Sequence, residues 1–466
     1  MNVQSSGNIS HTLAAFAASL DGSQIPADVR LRAQHHMLDA IGIAFASGRF
    51  DFARKMLAGT VALGGQGAVP VIGMATNLSP RDSAMMNGFL VHGLDFDDTH
   101  MGGIIHPTAS IMPAVFSAAV MRGAKGADII TAYVIGMEAA TRLAAVARGA
   151  FHQVGFHPTG IIGIFGCVLA VGKIFGLTPA ELAHAQGVAV SMAAGSMEFL
   201  EDGAWNKRLH PGWAAQAAIT AVSLAQSGFI GITRPYEGRF GLVNAYMGKE
   251  VARADYRLAT QGLGQTWELL NTAIKPYPTC HFVHACIDSA LILRQQGLRA
   301  DDIEKIETLV PGDVIKTVCE PEANKKRPAN SYDAQFSVPF LTAAAFVRGR
   351  VTLSELEEDA LRDQKILDLA SRCSYRADPD SPFPKAYSGE LVVTTKSGKV
   401  LRHREHINRG AADRPLSNAE IAEKFRGNAA LAMSAGTITE VERGVLALEQ
   451  ANDPSALVRI LGASAS

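Results

Sequence analysis

From about residue 8 to residue 230, apolar side chains recur at three- and four-residue spacing with short breaks between them, which predicts one helix after another. Several of these helices signal their own starts. Thr178, Pro179 and Glu181 open ELAHAQGVAVSMAAG as N-cap threonine, first-turn proline and back-bonding glutamate. Ser79-Pro80 before RDSAMMNGFLVHG, and Ser417 with Glu420 before IAEKFRG, carry similar signals. Alanine and glycine are abundant in these runs, so close packing between helix backbones is expected. After about residue 268 the pattern changes. IEKIETLVP over 303–311 alternates with period two, and GELVVTTKSGKVLRHREHI over 389–407 predicts two strands joined at Lys396-Ser397-Gly398-Lys399. Helical segments around 283–296, 335–347 and 352–362 lie between them, and the tail from Ser417 is helical again. The expectation is a mainly α protein, with a large all-helical domain from residues 1–268 plus 411–466 and a smaller α+β domain from 269–410.

A chain of 466 residues is long enough for two cores and a buried cleft. Its 43 basic and 44 acidic side chains leave no net field for nucleic acid or an anionic membrane, so a small, locally charged ligand is the expected partner. The N-terminus lacks the charged flank and cleavage pattern of a signal peptide. The most apolar run, Gly160 to Gly172, meets Lys173 after 13 residues, too short for a hydrocarbon core of about 30 Å, so no membrane span is expected. Five cysteines without a C-x-x-C pair point to a reducing compartment and a cytoplasmic location.

The chemistry gathers in punctuated loops. LDFDDTHMGGIIHPTAS, Leu94 to Ser110, carries three aspartates, Thr99 and His106. Asp95-Phe96-Asp97-Asp98-Thr99 fits the D-x-D-x-T pattern of haloacid-dehalogenase-type phosphohydrolases, but that chemistry needs a strand before the motif, and the lead-in here reads as helix. GAWNKRLHPGW places Lys207, Arg208 and His210 directly before the helical run that starts at Ala214. Cations at a helix N-terminus are electrostatically misplaced unless an anion joins them, so these residues are expected to hold an anionic ligand or pair with nearby carboxylates. Lys275-Pro276-Tyr277-Pro278-Thr279-Cys280-His281 is a proline-fixed turn with a cation, a phenol and an imidazole. Tyr332 follows KKRP, and His157 sits in FHPTG beside a turn. His281-x-x-His284 lacks a third ligand at recognisable spacing, and His403-x-x-His406 on a strand points to opposite faces, so no metal site is expected.

Read together, NGFLVHGLDFDDTH with HPTAS, FHPTG, KRLHPGWAAQAA, KPYPTCHFVHA and AQFSVPF resemble, in that order, the blocks of the MmgE/PrpD family. Its activities include 2-methylcitrate dehydratase, cis-aconitate decarboxylase and iminodisuccinate epimerase. The resemblance implies a helical domain with a smaller α+β lid, a homodimer, and chemistry without metal or organic cofactor on a small di- or tricarboxylate. It implies a site at Asp95, Thr99, His106, His157, Lys207, Lys275, His281 and Tyr332. Proton transfer next to a carboxylate creates an enolate-like anion, which Lys207, Arg208 and Lys275 could stabilise while Thr99, His210 and His281 help bind the substrate. His106 is the expected proton-transfer residue, oriented by Asp95, with His157 or Tyr332 on the opposite face and Asp97 and Asp98 shaping the loop. Hydration or dehydration is the leading expectation. Epimerisation, decarboxylation and a catalytically silent carboxylate-binding protein are the alternatives.

Overall fold

Helices make up most of the chain in the computed structural model, which describes residues 8–463 of 466. The first seven residues, part of the segment read above for a leader, lie outside the described residues. The chain divides into two compact units. The first comprises the chain up to Gly93, Asp97–Thr272 and the chain from Ser417; the second comprises Leu94–Phe96 and Ala273–Leu416. Residues 94–96, assigned to the helical part from sequence, therefore group with the second unit.

Six helices of the first unit frame its functional side chains: α1 (Ala27–Ser47), α2 (Pro80–Val91), α3 (Thr108–Arg122), α4 (Gly126–Val146), α5 (Pro158–Phe175) and α6 (Asn206–Gln226). α5 packs on α3, α4 and α6, and α2 packs on α3 and α6. Glycine permits this closeness. A Cβ on Gly88 of α2 would stand 2.7 Å from the Cα of Gly212 in α6, and one on Gly166 of α5 would stand 2.6 Å from the carbonyl oxygen of Gly136 in α4. The capping expected at three helix starts is present: the hydroxyls of Ser79, Thr178 and Ser417 accept the backbone N–H groups of Asp82, Glu181 and Glu420. The helix Asn418–Ala429 returns to lie on α1. The run expected to be too short for a membrane is part of the 18-residue α5. Both α5 and α4 are long and apolar enough to cross one, yet 89% and 94% of their most apolar windows are buried within the protein.

The second unit holds a four-stranded sheet of β1 (Ile303–Val310), β2 (Cys373–Ala377), β3 (Gly389–Thr395) and β4 (Val400–Glu405), in the order β2-β1-β3-β4. β1 runs parallel to β2 and antiparallel to β3, and β3 and β4 form the expected hairpin, with Gly398 at φ +82 in its turn. The buried face of β3 presents Leu391, Val393 and Thr395, with α7 (His284–Gln295) packed on the hairpin and α8 (Val338–Arg348) packed on α7. The segment expected as a helix over 352–362 instead breaks into a 3₁₀ turn, Leu353–Leu356, and one short turn, Glu358–Leu361.

Candidate active site

In the first unit, helix ends gather four imidazoles. His92 follows the last turn of α2, His106 precedes Pro107 at the start of α3, His157 is the N-cap residue of α5, and His210 lies in the opening turns of α6. Ring centroids of His92 and His106 are 4.9 Å apart, His92 and His157 5.6 Å, His106 and His157 6.0 Å, and His157 and His210 5.2 Å. The backbone N–H of His106 donates to the Thr159 hydroxyl at 3.1 Å, tying the start of α3 to that of α5. Three helix N-termini, each a zone of partial positive charge, thus border one cluster.

The hydrogen bonds assign protons. His106 Nδ1 stands 2.7 Å from the Asp98 carbonyl oxygen, which can only accept, so Nδ1 carries hydrogen and the neutral ring keeps its lone pair on Nε2. Thr99 Oγ1 lies 3.2 Å from the same Nδ1 and Asp97 Oδ2 4.0 Å away. His92 Nδ1 donates to Asp97 Oδ2 at 2.7 Å, and His157 and His210 share one hydrogen between Nδ1 atoms 3.0 Å apart. The Asp98 carboxylate accepts from the Thr108 N–H at 3.2 Å and the Thr108 hydroxyl at 2.6 Å, with His36 Nδ1 at 3.0 Å. Asp97 and Asp98 therefore do more than shape a loop, because one orients His92 and the other anchors the backbone that orients His106.

Lys207 is buried beside this cluster, and its charge is felt by His152, His157 and His210. Burial first, then neighbouring imidazoles and Lys207, hold His157 well below its ordinary range; burial, His92 and Lys207 push His210 down to about 4. The loop expected to precede α6 is already helix, since α6 starts at Asn206 with Pro211 inside it. Proline lacks the N–H that would bond the Lys207 carbonyl, and this local break is what the sequence presents as a loop. Arg208, expected on the substrate, donates Nε to the Gly93 carbonyl at 2.7 Å and lies 4.4 Å from the centroid of Phe52.

Acidification exposes the cost of these neutral rings. His152 and His210 are both held at about 4 in the folded protein, against about 6.5 in an unfolded chain, so the unfolded state binds more protons between those values and stability falls as pH drops through that window. Asp39, raised to about 6 chiefly by burial, acts in the opposite direction with a similar weight, so two histidines outweigh it. Urea unfolding should give a lower midpoint at pH 5 than at pH 7, with a smaller drop in His210→Asn. An equal drop in that variant would remove His210 from the explanation.

The second unit places Asp95 and Lys275 together. Lys275 Nζ donates to Asp95 Oδ1 at 2.9 Å and to the Asp95 carbonyl at 2.8 Å, with Lys275 0% and Asp95 3% exposed. Asp95 adopts φ +51, a left-handed conformation that a short polar side chain tolerates. Gln335 Nε2 holds the Leu94 carbonyl at 2.6 Å and the Pro278 carbonyl at 3.2 Å, fixing this segment against the proline turn. The His281 ring lies 4.6 Å from that of His284, tilted against it by 52°, and hydrogen-bonds the Asn408 amide through Nε2. His284 is held well below its ordinary range by burial, His281 and Lys275. Tyr332 is buried, with its ring 5.1 Å from Phe336, on a short helix capped by Asn330. Tyr277 donates to Asp288 Oδ1 at 2.5 Å, a structural role. Sequence reasoning passed over His92, His36 and Asn408. For His92 the available signal was a histidine at a helix end five residues before an aspartate.

A family model for the MmgE/PrpD N-terminal domain matches residues 11–254, and one for the MmgE/PrpD C-terminal domain matches residues 277–448. The chain belongs to the MmgE/PrpD family. The C-terminal match runs past Leu416 into the helices that return to the first unit. Curated MmgE/PrpD relatives include cis-aconitate decarboxylase of Aspergillus terreus, 27% identical over 466 residues with 96% of this chain and 94% of the relative covered. Human cis-aconitate decarboxylase is 28% identical over 397 residues, covering 82% and 80%. The 2-methylcitrate dehydratase of Escherichia coli K12 is 23% identical over 401 residues, covering 78% of each chain. Decarboxylation and dehydration of this kind are both lyase reactions, and this MmgE/PrpD protein is of the lyase class.

Proposed function

We propose that the protein is a lyase acting on a small di- or tricarboxylate through side chains alone, and that its reaction is decarboxylation of an unsaturated tricarboxylate of the cis-aconitate kind. The observation that carries the polycarboxylate reading is the set of imidazoles at three helix N-termini beside Lys207, a field suited to an anion whose charge grows during reaction. The extent of similarity to cis-aconitate decarboxylases, over 96% of this chain in one case, favours carbon dioxide loss over the dehydration expected from sequence.

In that reaction the bond to the departing carboxylate breaks, its electron pair forms a new carbon–carbon double bond, and the old double bond shifts its pair onto the carbon beside a second carboxylate. Lys207 stabilises the resulting enolate-like charge. Protonated His106 delivers the proton from Nε2 to carbon and returns to the Nδ1–H form that the Asp98 carbonyl holds. Lys275 and Asp95, with His281 and Tyr332, are assigned to substrate binding and positioning.

Similarity to 2-methylcitrate dehydratases supports a second reading, in which neutral His106 removes a C–H proton through Nε2 and an acid protonates the departing hydroxyl. Five buried free cysteines support a cytoplasmic location, and exposed Phe229, Ile230, Ile232 and Phe240 support a homodimer. Proton NMR in deuterium oxide against cis-aconitate, 2-methylcitrate, citrate and iminodisuccinate tests the reaction. The expected product is cis-aconitate less carbon dioxide, with one deuterium incorporated. Water loss from 2-methylcitrate would establish the second reading, solvent exchange without bond loss would make the protein an epimerase, and inertness toward all four would sink the proposal.

A further inference from the structure

We propose that His92, His106 and His157 form a binding site for one divalent late-transition-metal ion of the Zn²⁺ class, and that filling it shuts the enzyme down. One ring nitrogen of each histidine lies within 4.8 Å of one from each of the others, and all three residues are buried. In tetrahedral zinc sites the imidazole nitrogens sit about 2.0–2.1 Å from the metal, which puts them roughly 3.4 Å from one another and the ring centroids roughly 5 Å apart. The centroid separations here, 4.9, 5.6 and 6.0 Å, are already near that geometry. Modest ring rotations would close the remaining gap of at most about 1.4 Å between nitrogens.

The outer partners support the same conclusion. His92 is held through Nδ1 by the Asp97 carboxylate, His106 through Nδ1 by the Asp98 carbonyl, and His157 through Nδ1 by His210. Metal-bound imidazoles are oriented in this way, by a carboxylate, carbonyl or similar group on the ring nitrogen remote from the ion. His157 Nε2 is buried without a hydrogen-bond partner among the described residues, leaving a donor atom for a ligand. The donor set is all imidazole nitrogen, which selects zinc, copper, nickel or cobalt over magnesium or calcium. Three protein ligands leave a fourth position open. The spacing 92, 106, 157 matches no sequence pattern for a metal because the ligands come from the ends of three different helices.

Inhibition follows because the ion takes the lone pair on His106 that proton transfer needs. This half of the proposal rests on the proton-transfer role given to His106 above; the binding half does not. The full-length protein, stripped with EDTA, is titrated with Zn²⁺ by calorimetry and with Co²⁺ by the visible absorption of the four-coordinate ion. Expected are one ion per chain, no response to Mg²⁺, and affinity reduced by about 100-fold or more in His92→Gln and by about 10–100-fold in Asp97→Asn. His403→Gln should leave the isotherm unchanged, and circular dichroism checks that each variant is folded. Because Asp97→Asn removes no ligand, it keeps the test alive if His92→Gln fails to fold. Activity should fall in step with Zn²⁺ occupancy and return with EDTA. Equal zinc affinity in wild type and both variants would overturn the site. Tight binding without loss of activity, or an enzyme that EDTA silences and Zn²⁺ restores, would overturn the inhibitory role. If the protein turned over none of the four carboxylates, the isotherms and the Co²⁺ spectrum would still decide the binding claim.

Discussion

Replacing His106 with alanine is expected to lower kcat by about 10²–10⁴-fold, the usual worth of a positioned acid–base group, while KM changes little. The argument is geometric. The Nδ1 atom of this ring is fixed by a backbone carbonyl, and the carboxylate of that same residue, Asp98, is pinned by Thr108 and His36, so Nε2 is delivered in one orientation and one tautomer. Lys207→Ala should behave differently, raising KM as well as lowering kcat, because a buried ammonium attracts the substrate's carboxylates in the ground state as well as the charge that grows later. Steady-state kinetics on whichever substrate the NMR screen identifies separates the two. Activity in His106→Ala within a few-fold of wild type would reassign the proton-transfer residue.

The second large effect is on stability. Lys275→Ala should destabilise the protein by about 3–5 kcal/mol, since it removes the buried ammonium that faces the buried Asp95 carboxylate. The double change Lys275→Met with Asp95→Asn removes both charges and should recover a large part of that loss, because two desolvated ions are replaced by neutral groups of similar size. Urea unfolding of the three proteins measures both numbers. A cost below about 1 kcal/mol in Lys275→Ala would mean that the pair contributes no more than an exposed ion pair does.

Much of this architecture is legible in the chain because it is set locally. Ser79, Thr178 and Ser417 cap their helices through contacts three residues away, and the β3–β4 turn depends on one glycine at Gly398. The failures are also local in origin. Pro211 disguises the start of α6 as a loop, and β2 is a five-residue strand at the edge of the sheet, with one of its five residues buried and too little alternation to stand out. The site divides along the same line. His106, His157, Lys207 and Lys275 stand in motifs that name themselves, whereas His92, His36 and Asn408 acquire meaning only through partners 5, 62 and 127 positions away. No periodicity in a single chain reports such pairings.

The helix Asn418–Ala429 lies against α1, with Lys424 Nζ 2.8 Å from Asp39 Oδ1 and the backbone of Phe425 so near Gly42 that a Cβ there would stand 3.1 Å from the Phe425 Cα. On the ribosome this partner emerges long after α1, a delay of roughly twenty seconds or more at about 5–20 residues per second. Throughout that time Asp39 and the surface around Gly42 must wait, exposed or temporarily covered, while the entire second unit is made. The helical unit is thus completed after synthesis of the smaller one, and a gene cut at residue 416 would yield a helical part lacking its final wall.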